Sequence, residues 1–414
     1  MRRFTTPVAT AAGMAGLLLA SAAQAQIEVE AGDWTLTFDG NVNAYYTNTR
    51  CESDAATVQG GLACTDAAES DRRANIRTGF LPAKLGIGAS TTQNGLDIAA
   101  YVSYWPGVDG GDAVSVAGSA DTGLGFGNVN FRQVFLTVGN ERIGTFKLGR
   151  DLGIFGSDAI LSDMSLLGVG TVSDITLGGG NTSLGRVGNG YLYADWKAQI
   201  SYASPDFNGF GFVIGATDPF DPFTVAPGDN SLAAVGEKTS PAVEGKVTYD
   251  WTARDVSGRV WAGFINQKVD DRDGSFDDFR ATGFDLGVKA GIAGFEGVAY
   301  YYEGKGIGTT AFLHQAASAD GTRRDSDGFM LQGTYTLPGL GTKLGLSYGE
   351  SNLDQNNGDP DTLLDRNSSV IVGAYHPITP NLNLVAEFTR TKAENHAGDD
   401  NREDNVALGA ILFF

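Results

Sequence analysis

The sequence predicts an all-β chain that closes into a transmembrane antiparallel β-barrel of sixteen strands, with short turns at one end and long loops at the other. Three observations lead there. Runs of strictly alternating apolar and polar residues recur along the chain. The connections between them alternate between tight and long. The chain also ends on an amphipathic run with an aromatic last residue.

Alternation carries the argument because successive strand side chains point to opposite faces, so one parity meets lipid and the other water. Around KVTYDW, Val243, Val247, Tyr249 and Trp251 share one parity, and Glu244, Lys246, Thr248 and Asp250 the other. In FDLGVKAGI the apolar set is Phe284, Leu286, Val288, Ala290 and Ile292, against Asp285 and Lys289. In TKLGLSY, Leu344, Leu346 and Tyr348 oppose Lys343, Gly345 and Ser347. Around Arg77 and Arg132 the parity puts a charge on the apolar face near a strand end.

The predicted strands centre on Leu36–Tyr46, Arg77–Ala89, Leu96–Tyr104, Val129–Val138, Thr145–Arg150, Ala198–Ala203, Phe210–Ala216, Val243–Trp251, Arg259–Gln267, Thr282–Gly291, Phe295–Glu303, Phe329–Leu337, Thr342–Glu350, Ser368–Tyr375, Leu382–Thr391 and Val406–Phe414. An even number lets the ends meet antiparallel. Gln93-Asn94-Gly95, Asn140-Glu141, Asn208-Gly209, Pro338-Gly339 and Pro380-Asn381 are hairpin signals. The intervening connections are long and polar, the asymmetry of a bacterial outer-membrane barrel. A barrel of this size leaves an aqueous channel rather than a packed interior.

The beginning, MRRFTTPVATAAGMAGLLLASAAQAQ, has a basic start, an apolar centre and a small-residue end, the pattern of a secretory signal over 1–25 cleaved after Ala25. The barrel domain is then 26–414. No later stretch reaches eighteen consecutive apolar residues, which excludes a helical membrane protein. The 58 glycines suit barrel turns and lumen positions, although a secreted β-solenoid shares that composition. The formal charge of -20 argues against nucleic acid as a partner, because phosphate contacts need a basic surface. Acids concentrate in DQNNGDPDTLLD from Asp354 and ENHAGDDNRED from Glu394, read as loops that are either simply solvated or bridged through divalent cations to lipopolysaccharide. Cys51 and Cys64 lie in one polar stretch, and in an oxidising compartment they most simply form a disulfide.

One segment fits neither strand nor helix. After TFKLGR come about forty residues, DLGIFGSDAILSDMSLLGVGTVSDITLGGGNTSLGRVGNG, and a loop that long inside a compact domain is expected only where it is functional. In a barrel it can fold inward and narrow the lumen, where the charges at the narrowest point set selectivity. The candidate acids are Asp151, Asp158, Asp163 and Asp174, with Arg186 near the loop's return. The candidate basic wall is Lys84 and Lys147, with Arg77, Arg132 and Arg150. An acidic chain with four loop acids is expected to favour cations mildly. The three histidines, His314, His376 and His396, are scattered, with no metal spacing, no nucleophile elbow and no phosphate-cradling loop, so neither an enzyme nor a cofactor is predicted.

The runs ISYASPDFNGFGF (200–212) and FKLGRDLGIFG (146–156), together with a last strand VALGAILFF ending at Phe414, resemble the Gram-negative general diffusion porins, especially the proteobacterial type with LGR just before its third loop. The resemblance spans the whole mature chain in strand count and loop order, and its short motifs fit the family better than any member. It implies a trimeric sixteen-stranded outer-membrane barrel for small hydrophilic solutes, whose third external loop turns into the lumen with acids facing a basic wall. It makes Phe414 the insertion signal. The chain departs from the common form at Asp151, where a Gln is frequent, and in its two cysteines. Two other functions share this outline: a substrate-selective channel for sugars, phosphate or small acids, and a barrel adhesin or outer-membrane enzyme.

Overall fold

The computed structural model describes residues 26–52, 56–65, 72–108, 129–172, 182–223, 230–232, 237–271 and 274–414. Its strands are β1 (Ile27–Ala31), β2 (Trp34–Glu52), β3 (Arg72–Arg77), β4 (Lys84–Gln93), β5 (Leu96–Pro106), β6 (Val129–Asn140), β7 (Gly144–Leu152), β8 (Trp196–Ala203), β9 (Phe210–Thr217), β10 (Ala242–Ala253), β11 (Val256–Val269), β12 (Phe279–Ile292), β13 (Phe295–Lys305), β14 (Asp325–Thr336), β15 (Lys343–Leu353), β16 (Leu364–Pro377), β17 (Leu382–Asn395) and β18 (Asp400–Phe413). Neighbours pair antiparallel throughout, and β18 returns to β2 with Leu408 opposite Tyr46, closing the ring.

Eighteen strands make sixteen staves because two staves are each assembled from two pieces. β1 pairs with β2 just beyond the end of β18, so the two ends of the described chain share one stave. Gly40 and Phe414 exchange backbone hydrogen bonds there at 2.8 and 3.0 Å. β3 and β4 both pair with β2, one above the other. The sequence reads Arg77–Ala89 as one unbroken run, whereas 78–83 leaves the ladder at Pro82, which has no N–H to give it. That short piece bends into the bore, where Asn43 Nδ2 donates to Leu81 O at 2.8 Å. The five-residue IEVEA of β1, too short and too acidic to register as a run, is absent from the predicted strands, as is β3 apart from Arg77.

Parity falls as alternation requires. Phe284, Leu286 and Val288 on β12, Leu344 and Leu346 on β15, and Val406, Leu408 and Leu412 on β18 are exposed on the outside, while Asp285 and Ser347 are buried inside. The irregular parity near Arg132 has a physical cause. A bulge opposes Ser103 to Gln133 but Tyr104 to Phe131, so Phe131 and Val134 both face out while Arg132 lies over the Trp105 ring at 5.3 Å. The acidic run from Glu394 is a tight hairpin and not a long loop: Glu394 lies in the last pair of β17, and Asp400 and Asp404 belong to β18, with Asp404 paired to Arg390 at 2.7 Å and Asp400 to Lys392 at 2.8 Å.

Candidate pore constriction

The third long connection, 153–195, sets the geometry of the bore. It leaves β7 through Gly153, where a Cβ would stand 2.1 Å from Ala194 O, and Gly156 at φ 72 turns it into helix α1 (Ser157–Ser162). Acids on the inner wall then hold its backbone. Glu244 Oε2 on β10 accepts the Ile154 and Phe155 N–H groups at 2.9 Å each. Asp285 Oδ2 on β12 accepts Gly156 N–H at 3.1 Å, and Glu387 Oε2 on β17 accepts Val169 and Gly170 at 2.7 and 2.9 Å. Gln332 on β14 takes Met164 N–H at 2.8 Å, and the Tyr45 hydroxyl on β2 donates to Leu167 O at 2.7 Å. The return limb is fixed by buried Arg186, whose Nε donates to Ser347 Oγ on β15 at 2.6 Å and whose Nη atoms reach Ser369 O on β16 at 3.2 Å. Burial pulls this guanidinium down to about 10. A segment bonded to the inner faces of β2, β10, β12 and β14 to β17 lies within the ring.

The expected acids divide by environment. Asp158 is the one that meets opposing cations, Lys246 on β10 at 2.5 Å and Arg259 on β11 at 2.9 Å. Burial pushes its carboxyl up, but the two cations outweigh burial and hold it below the usual carboxylate range. Asp163 turns inward on its own loop, capping Ser165 N at 2.9 Å and accepting the Tyr191 hydroxyl at 2.7 Å, so it shapes the segment, and it also borders the cavity beneath it. Asp151 belongs to β7, where it pairs with Lys147 and accepts Gln133 Nε2 at 2.9 Å. Asp174 lies outside the described residues, as does Ala25.

The expected basic wall is likewise rearranged. Lys84 pairs with Asp39 at 2.5 Å and stands over the Tyr101 ring at 5.3 Å. Lys147 stands over Phe135 at 4.8 Å. Buried Arg77 points inward and donates to Val172 O and Thr182 O at 3.3 and 3.2 Å, which makes it an anchor of the inserted segment. Arg150 shares the outward parity of Phe146 and Leu148 and is exposed on the outside of the barrel, so it is not a wall residue. The Lys197–Glu244 pair, 2.6 Å apart and fully buried, had no advance signal beyond inward parity. Parity did mark Lys246 and Glu244 as water-facing, but their partners are distant in sequence. Cys51 and Cys64 are joined as a disulfide. Below the inserted segment, at the short-turn end, a cavity of 1210 Å³ is lined by Asp158, Arg259, Lys289, Lys343, Tyr375 and Phe413 among others.

A closed wall with an apolar exterior, charged side chains inside and a segment fixed across the bore defines a transmembrane β-barrel channel of the outer-membrane kind. Comparison with known families specifies it further: the family model of Gram-negative porins matches residues 9–396, and the chain belongs to that family. It is accordingly an outer-membrane channel for passive diffusion, and family and fold point to a channel rather than an enzyme. Among solved structures it is similar to the outer-membrane channel DcaP of Acinetobacter baumannii, with 15% identity, 94% of this chain and 100% of that chain covered, and a TM-score of 0.65. It is also similar to the anion-selective porin of Comamonas acidovorans, with 16% identity, 92% and 100% covered, and a TM-score of 0.59. The trimer form of the Vibrio cholerae outer-membrane protein OmpT matches with 14% identity, 92% and 99% covered, and a TM-score of 0.53. No curated protein sequence matches the chain.

Proposed function

We propose that ions and small hydrophilic solutes cross along the inner wall of β4 to β7, past Lys84, Arg132, Lys147 and Asp151, with Asp158, Lys246 and Arg259 bounding the far side. The observation that carries this reading is the clamping of 153–195 onto β10 to β17 and on to Tyr45 of β2 and Arg77 of β3, which among the described residues leaves the charged wall of β4 to β7 facing it. Each wall lysine has an acid beside it, Lys84 with Asp39 and Lys147 with Asp151. Their fields therefore largely cancel, and the mild cation preference expected of an acidic chain persists. Planar-bilayer recording of the purified protein tests this: a reversal potential in a KCl gradient showing chloride preference would refute it.

The same reading makes residues 1–25 a signal cleaved after Ala25 and Phe414 the recognition end for outer-membrane insertion. It makes the assembled form a homotrimer, in line with the trimer form of a structural neighbour. The partners at the outer rim are lipid and lipopolysaccharide, with divalent cations bridging its phosphates to acids such as Asp354 and Asp361. No cofactor or resident metal enters the transport step.

A further inference from the structure

The sixth long connection, 306–324, does not stay on the rim. Ile307, Phe312, Leu313, Ala316 and Ala317 are buried, packed with Phe155 and Leu192 of the third connection and Tyr302 and Met330 of the wall in one apolar cluster. Burial to this degree follows from apolar packing inside the ring, since a connection over the rim would meet water.

Its contacts span the mouth. The Phe312 ring receives Lys197 Nζ at 5.3 Å from β8, five staves from β13 in one direction. Gln315 Nε2 donates to Gln59 O at 3.0 Å in the connection that follows β2, five staves from β14 in the other. Between these points Tyr193 N–H donates to Thr310 O at 3.0 Å, and Leu232 N–H to Ala317 O at 2.8 Å. The segment is also over-determined. Leu313 and Gln315 hold left-handed backbone, at φ 68 and 55, a conformation that persists only where surroundings enforce it. At its end a fully buried pair, Arg324 and Asp359 at 2.8 Å, ties it to the connection before β16, and Arg324 Nη1 donates to Ser231 Oγ at 2.7 Å.

We infer that 306–324 is a second inserted segment, a fixed roof that sets the outer size limit of the channel, while 153–195 sets the inner one. Among the described residues the way in lies beside it, toward β4 to β7. This rests on the passage proposed above. The test uses the full-length protein, a variant with 309–318 replaced by Gly and Ser at equal length, and the double variant Phe312→Gly and Leu313→Gly. The double variant removes the two apolar anchors and suits the left-handed position. Folding is read from heat-modifiable gel mobility, and the channel from single-channel steps and liposome swelling in sugars of graded size. Removing the roof is expected to raise conductance by up to about twofold, the limit for two comparable restrictions in series, and to speed the entry of sugars near the parent's cut-off. The double variant is expected to move both readouts in the same direction by less. A parent protein without conductance steps overturns the passage itself. A conducting parent whose folded variants keep its conductance and sugar entry overturns the roof alone. Should the replacement fail to fold, the double variant decides.

Discussion

Glu244→Ala tests the clamp at its most buried point. Glu244 is 0% exposed. One carboxylate oxygen accepts two backbone amides of the inserted segment at 2.9 Å, and the other accepts Lys197 Nζ at 2.6 Å and Thr217 Oγ1 at 2.9 Å. Truncation orphans two amides, at about 1–3 kcal/mol for each that stays dry. It also strands a buried ammonium, at about 3–5 kcal/mol. The second effect sets the scale, because water entering from the bore can rescue the amides but cannot readily reach Lys197 beneath Phe220 and Phe312. The expected outcome is a lower melting transition by heat-modifiable mobility, with noisier and larger single-channel currents as the start of 153–195 comes loose. Removing both charges together, Lys197→Met with Glu244→Leu, is expected to recover most of the stability while leaving the currents altered, because apolar pairs replace buried ion pairs at little cost. A Glu244→Ala protein with parental melting and quiet currents, or a double variant no better than the single, would refute the clamp.

Other perturbations have equally definite outcomes. Cys51→Ser opens a short closed loop, worth about 3 kcal/mol of chain entropy in loops near this length. It is expected to expose the 56–63 stretch to protease while leaving the barrel intact, read by limited proteolysis and gel mobility. Asp158 is held below the ordinary carboxylate value, so its contribution is complete above about pH 4 and disappears as pH falls through the lower folded value. Below that range Lys246 loses its carboxylate partner and Arg259 keeps only Asp250, and selectivity is expected to shift toward anions, a change that Asp158→Asn should reproduce at neutral pH. Deleting Phe414 removes the backbone exchange with Gly40 at the seam of the barrel, and less assembled protein is expected in outer-membrane fractions at equal synthesis.

Much of the wall was legible because a membrane barrel writes its fold as a period of two. Val247 and Glu244, or Leu286 and Asp285, could be assigned to opposite faces with nothing but parity. The exceptions arose where the period breaks locally: at the bulge beside Arg132, and at Pro82, where the expected strand 77–89 leaves the ladder, so that only its second half is strand β4 and β3 lies before it. The constriction was legible only as a segment. Its length and composition marked 151–190, against 153–195 in the structure, but which acid meets which cation depends on staves far apart in sequence, so Asp158 was found with Lys246 and Arg259 while Asp163 proved internal to its own loop. The wall acids that hold the segment, Glu244, Asp285 and Glu387, looked like ordinary lumen residues. Nothing in the spacing of 306–324 marked it as an insertion, because its apolar residues follow no strand or helix period.

The central claim is a continuous aqueous path narrowed by a fixed segment, and planar-bilayer recording of the purified full-length protein tests it most directly. The account predicts discrete, stable steps whose conductance rises in proportion to KCl concentration, with a mild preference for potassium. A protein that inserts fully folded and yields no steps would contradict it.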